Sequence, residues 1–144
     1  MSLVGALQTA LEGEHAAVYV YGVLGARTSA SAQPTLFADV SEAYAAHRAR
    51  RDQLRSFVYD AGETPAAARP AYDLPNPART PDQITRAALE VERASATTFA
   101  WLVANSVGPR RRWAVDALTN TAVRELTFRG SPEIFPGAGE YADR

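Results

Sequence analysis

Six residues of this chain have the type and placement to do chemistry: Glu14, Tyr44, His47, Arg51, Glu92 and Glu125. Each falls on a helix-period line of mainly apolar residues, so four separate segments send polar or ionisable groups toward one interior. Burying charges singly is costly, and a set of them implies mutual pairing or a bound cation. Di-metal helical bundles use such a set. They take a glutamate from each of two helices and a Glu-x-x-His pair from each of the other two, because residues i and i+3 share a face. Glu14 and Glu92 match the single glutamates. The second segment, however, reads Tyr44-x-x-His47 and the fourth Glu125-x-x-Phe128, so one carboxylate and one imidazole of the six ligands are missing. The remaining Glu14, His47, Glu92 and Glu125 carry suitable donors for iron, manganese or zinc. Arg51 lies one turn past His47, cannot be neutralised, and would repel a divalent ion while attracting the same glutamates. The favoured expectation is a degenerate metal site without a cofactor, with Arg51 bridging the carboxylates and Tyr44 and His47 satisfying the remaining hydrogen bonds. An incomplete site that still binds metal is the alternative.

The elements that must position these groups are helices. The chain has 144 residues, including 29 alanines and 15 arginines but no lysine, and this alanine and arginine excess favours helix. Four segments carry helical periodicity, at residues 2–28, 33–61, 81–106 and 109–129, within a single domain spanning 1–144 and ending in a non-helical tail, 130–144. The first has Val4, Leu7, Leu11, Glu14, Val18, Tyr21 and Gly25 in line, and the second Phe37, Val40, Tyr44, His47, Arg51, Leu54 and Val58 at alternating spacings of three and four. The third offers Thr85, Ala88, Glu92, Ser95, Phe99 and Leu102; the fourth offers Ala114, Leu118, Thr121, Glu125 and Phe128. Short links predict that helices one and two, and then three and four, form hairpins. The long loop at 62–80 holds Pro65, Pro70, Pro75 and Pro77, and either crosses the end of the bundle or runs along its side. Gly62 suits a helix stop, and Thr80-Pro81 an N-cap followed by proline at the first helical position. In the tail, Ile134 and Phe135 are expected to tuck against the bundle.

Other residues narrow the function. There is no cysteine, which excludes disulfides, thiolate zinc sites and a thiol nucleophile. His15 lies about 100° round the helix from Glu14 and is expected to serve as a hydrogen-bonding residue rather than a ligand. Tyr19 and Tyr21 suit core and rim positions, and Arg48, Arg50 and Arg55 are expected to face outward. The run Arg110-Arg111-Arg112 opens helix four, where the dipole disfavours cations, so an anionic partner such as Glu133, Glu140, Asp143 or another subunit is expected opposite. A formal charge of −1 and a basic run without interleaved aromatics argue against nucleic acid. No apolar run is long enough to span a membrane, and the N-terminus lacks a signal-peptide pattern, so a cytoplasmic location is expected. Phosphate loops, dinucleotide fingerprints, nucleophile elbows and zincin motifs are absent from the sequence.

Several of these strings together resemble a known family. Leu11-Glu-Gly-Glu-His-Ala-Ala-Val-Tyr-Val-Tyr-Gly22, His47-Arg-Ala-Arg-Arg-Asp52, Ala71-Tyr-Asp-Leu-Pro75 and Phe135-Pro-Gly137 are similar to the actinobacterial ferritin-like proteins called domain of unknown function 4439. The resemblance runs from about Leu7 to Gly137 and implies an all-α, ferritin-like up-down four-helix bundle of unassigned activity. Its pattern carries over to Glu14, His15, Tyr21, His47, Arg51, Asp52 and Glu92; Glu125 lies outside it. The resulting expectation is a non-catalytic binding or structural protein, dimeric through exposed aromatic and alanine-rich helix faces, with a protein or small molecule as partner. A metal-binding protein or di-metal-type oxidase is the alternative. A third reading places a small apolar ligand between the hairpins, where Ala88, Ser95 and Ala114 leave space.

Overall fold

The computed structural model describes residues 2–131 and 134–137. It contains four helices, α1 (Leu3–Arg27), α2 (Pro34–Asp60), α3 (Pro81–Ala104) and α4 (Gly108–Arg129), and no strand among the described residues. Local chemistry sets several of the boundaries. The Ser2 hydroxyl accepts from the Gly5 amide at the start of α1, and the Thr80 hydroxyl accepts from the Gln83 amide at the start of α3. Proline occupies the first turn of α2, α3 and α4, where its missing N–H costs nothing. Gly130 closes α4 at φ 82°, in the left-handed region that a side chain would strain.

The helices pack as two antiparallel hairpins, α1 with α2 and α3 with α4, and α1 lies against α3 across the hairpins. The loop from 61 to 80 runs along the side of the bundle, following α1 from its N-terminal to its C-terminal end. Its contacts trace the route: Gln8 Nε2 donates to the Thr64 carbonyl at 2.7 Å, and Tyr19 packs on Tyr72 with centroids 5.6 Å apart. Arg27 Nη1 then donates to the Pro77 carbonyl at 2.7 Å. Thus α3 starts beside the end of α1 and runs antiparallel to it. The result is an all-α four-helix bundle with one long crossover connection.

The interior has three layers. At one end Tyr21, Leu24, Val40, Ile84 and Phe128 pack with alanines of α1, α2 and α3; at the other Leu7, Leu11, Leu54, Phe57, Phe99 and Leu102 pack with alanines of α1 and α4, with Trp113 edge-on to both Phe57 and Phe99. A fully buried leucine in such a layer contributes about 1.5–3 kcal/mol. Glu14, His47, Arg50, Glu92, Thr121 and Glu125 are also buried.

The inward face of α2 differs from expectation. Val40, His47 and Leu54 are buried as predicted, but the residues between them that turn inward are Ala43 and Arg50 rather than Tyr44 and Arg51. Both alternatives satisfy a three-four spacing, one stepping by three from the shared residues and the other by four. The first flank faces α4, as Arg50 and Phe57 do. On the second, Tyr44 and Arg51 sit at the rim, Tyr44 half-buried near Gly22 of α1, while Val58 is buried as predicted. Ile134 and Phe135 also depart from expectation: they are exposed.

Candidate functional site

His47 is the centre of the polar layer. Its ring is fully buried and stacks on Tyr21, with centroids 5.2 Å apart. Nδ1 lies 2.6 Å from Glu14 Oε2, and Nε2 lies 2.9 Å from Glu92 Oε1. Ionised carboxylates only accept hydrogen bonds, so a ring serving both must donate from both nitrogens and carry a positive charge. The electrostatics agree. Burial alone would pull the imidazole down, but the charges and hydrogen bonds of Glu14 and Glu92 outweigh it and raise its pKa. For Glu92, burial pushes upward and is outweighed by His47 and then Arg124 and the Tyr21 hydroxyl, so its carboxyl is held below the usual value. The net arrangement is carboxylate, imidazolium, carboxylate.

Two arginines complete the layer. Arg50 is buried, and its Nη1 donates to Thr121 Oγ1 at 2.9 Å while Nη2 donates to the Ala117 carbonyl at 2.7 Å. Its guanidinium sits over the Phe99 ring, 4.9 Å from the centroid, and lies 4.0 Å from Glu14 Oε1. Burial and the neighbouring Arg124 draw its pKa down to about 10, leaving it charged at neutral pH. Arg124 places Nε 3.3 Å from Glu92 Oε1, and the Tyr21 hydroxyl donates to the same oxygen at 2.7 Å. Burial and Glu92 hold the Tyr21 phenol well above its ordinary value, which keeps it a donor.

Three of the six residues read from the sequence meet here: Glu14, His47 and Glu92. Glu125 is buried on α4 beside Arg124. Tyr44 lies outside the layer, with the Arg48 guanidinium 5.5 Å from its ring centroid. Arg51 is the clearest correction, because it turns to the rim and pairs with its neighbour Asp52 at 2.8 Å. The interior arginine is its neighbour in sequence, Arg50. The signal for Arg50 was its i+3 spacing from His47, and Tyr21 was already on the α1 line; nothing in the sequence distinguished Arg124 as inward.

The site fits a metal ion poorly. An imidazole binds metal through a free nitrogen lone pair, and both His47 nitrogens are committed to carboxylates. Glu14 and Glu92 lie on different nitrogens of the ring. Among the described residues no group of three or more histidines, aspartates or glutamates is arranged to hold a metal. Each of these two carboxylates keeps one oxygen without a hydrogen bond: Glu92 Oε2 is buried, and Glu14 Oε1 meets only Arg50 at 4.0 Å.

Outside this layer, His15 places Nε2 2.9 Å from the Ala66 carbonyl and so ties the crossover to α1, the hydrogen-bonding role expected of it. Arg110 meets Asp60 at 3.4 Å and covers the Phe57 ring, while Arg111 Nε donates to the Val103 carbonyl at the end of α3. The tail carboxylates Glu133, Glu140 and Asp143 fall outside the described residues. A pocket of about 150 Å³ opens between α1 and α3, walled mainly by small side chains. Ser95 lines it, whereas Ala88 and Ala114 are packed in the core.

Comparison with known proteins agrees with this architecture. No curated protein matches the chain. The crystal structure of a conserved hypothetical protein, rv2844, from Mycobacterium tuberculosis is similar, with a TM-score of 0.80 and 30% identity over 88% of this chain and 93% of that one. The family profile described as Domain of unknown function (DUF4439) matches residues 6–140. On that match over nearly its whole length, the chain belongs to the DUF4439 family.

Proposed function

We propose that this protein is a non-catalytic binding or structural bundle that works without a resident metal, its interior carboxylates being neutralised by the protein's own cations. The observation that carries this reading is His47, whose two nitrogens face two buried carboxylates at 2.6 and 2.9 Å. In a metal-loaded bundle those oxygens and one nitrogen would turn toward the ion. Arg50 and Arg124 add two further positive charges to the same layer. Such a set fixes helix rotation and height, since its members come from all four helices and leaving one unpaired is costly. The decisive measurement is metal content after anaerobic purification and loading with iron, manganese and zinc in turn. Background levels are expected. Near-stoichiometric metal that disappears in a Glu14→Ala variant would overturn the proposal and favour the metal-binding alternative.

The same reading takes the protein to be cytoplasmic and a homodimer. No helix among the described residues is long and apolar enough to cross a membrane. Trp101 of α3 and Val115, Val123 and Leu126 of α4 are exposed apolar side chains suited to a second copy. A solution mass equal to one chain at micromolar concentration would refute the dimer.

A further inference from the structure

The pocket between α1 and α3 combines two properties that seldom occur together. Its walls are apolar or small, including Ala17, Val91, Ala94 and Phe99, and Gly13 contributes no side chain to the lining. Yet the same pocket is lined by Glu14, a residue only 1% exposed. Glu14 spends Oε2 on His47, while Oε1 has no hydrogen bond and its nearest cation is Arg50 at 4.0 Å. A carboxylate oxygen held in apolar surroundings with no donor inside hydrogen-bond distance has room for one more hydrogen bond. The pocket therefore offers an apolar enclosure and an acceptor, and lacks a donor for that acceptor.

We propose that this is a binding site for a small neutral molecule with an apolar body and one hydroxyl, which donates to Glu14 Oε1. Size and charge set the class. An apolar cavity of about 150 Å³ accommodates a single benzene-sized ring. The negative charge of Glu14 is already balanced by His47 and approached by Arg50, so an ammonium group would meet two cations beside its acceptor. A hydroxyl donates without adding charge. This inference rests on the metal-free reading only in needing Glu14 Oε1 to be unclaimed by an ion.

Phenol and toluene have equal numbers of heavy atoms and differ in the hydroxyl, which makes them suitable probes. Each is titrated into the full chain and followed by amide chemical shifts, with metal content measured on the same sample. Phenol is expected to give saturable shifts at Gly13, Ala17, Ala94 and Ser95, with toluene at least roughly tenfold weaker, since a hydrogen bond to a charged group contributes that much or more. Ala94→Leu, at the rim and away from the charges, is expected to abolish phenol binding while the helical signal and the remaining shifts persist. Equal binding of the two probes, phenol binding that survives Ala94→Leu, or no phenol binding to folded metal-free protein would each overturn the site. Metal bound through Glu14 would instead overturn the reading beneath it, so the two failures are distinguishable.

Discussion

Replacing His47 by leucine tests the charge layer directly. Leucine fills similar space but strands Glu14 and Glu92, which are 1% and 0% exposed. Removing one partner from a buried ion pair costs about 3–5 kcal/mol. Two carboxylates lose the same partner here, but neither is left bare: Glu92 keeps the Tyr21 hydroxyl and Arg124, and Glu14 keeps Arg50 at 4.0 Å. The lower part of that range, about 3 kcal/mol, is therefore expected at pH 7. For a chain of this length that corresponds to a fall in melting temperature of roughly 10 °C, read by circular dichroism and checked by urea denaturation. A companion variant, Glu14→Leu with His47→Leu, removes a charge together with its partner and should regain at least half of the loss, because apolar replacement of a whole buried pair is often neutral. A single variant as stable as the parent, or a double variant no better than the single, would refute the layer as a compensated charge set.

The same layer predicts a pH profile. The raised His47 pKa contributes stability that is complete below the unfolded value of 6.5 and is lost as pH rises through the folded one. The lowered Glu92 pKa contributes stability that is complete above 4.5 and is lost as pH falls through the folded value. Stability should thus peak between about pH 4.5 and 6.5, and His47→Leu should flatten the alkaline limb; stability that climbs from pH 6.5 to 9 would contradict this. Gly13→Ala places a Cβ at ordinary contact distance from Thr98 and should stabilise α1 by up to about 1 kcal/mol, measured by urea denaturation. Gln8→Ala removes the amide that both donates to the Thr64 carbonyl and accepts from the Ala66 amide, so the crossover should become several-fold more sensitive to proteolysis while the helices stay intact. Unchanged cleavage in that loop would show that Gln8 does not hold it.

The fold was legible because its signals were strong and redundant. Proline at the helix starts, glycine at 62, 108 and 130, and four long periodic segments all pointed the same way. Glu14, His47 and Glu92 could be placed inside because each stands on its line between bulky apolar residues. Arg51 was misplaced because its line shares Val40, His47 and Leu54 with the true one. The distinguishing residues were Ala43, too small to mark an interior, and Arg50, which looks like a surface residue. What brings Arg50 inside is a tertiary fact: α2 and α4 stand far enough apart that long side chains span the gap, and the Ala117 carbonyl and Thr121 hydroxyl receive the guanidinium. Arg124 likewise looks like a surface residue, and only its partner Glu92 on the neighbouring α3 marks it as inward.

The crossover along α1 carries a further consequence. Glu14, His47 and Glu92 each lie near the midpoint of their helices. A residue at the midpoint keeps its height when the helix is turned end for end, so the charges fix elevation and rotation but are nearly blind to direction. Direction is set by the loop, whose stations at Gln8, His15, Tyr19 and Arg27 deliver the chain to the far end before α3 begins. Were the loop cut to a short turn, α3 could run the other way with Glu92 still at mid-height, while Ala88 would lie on the opposite side of Glu92 from where the Tyr21 hydroxyl now meets it. Polarity and elevation are thus encoded in separate parts of the chain.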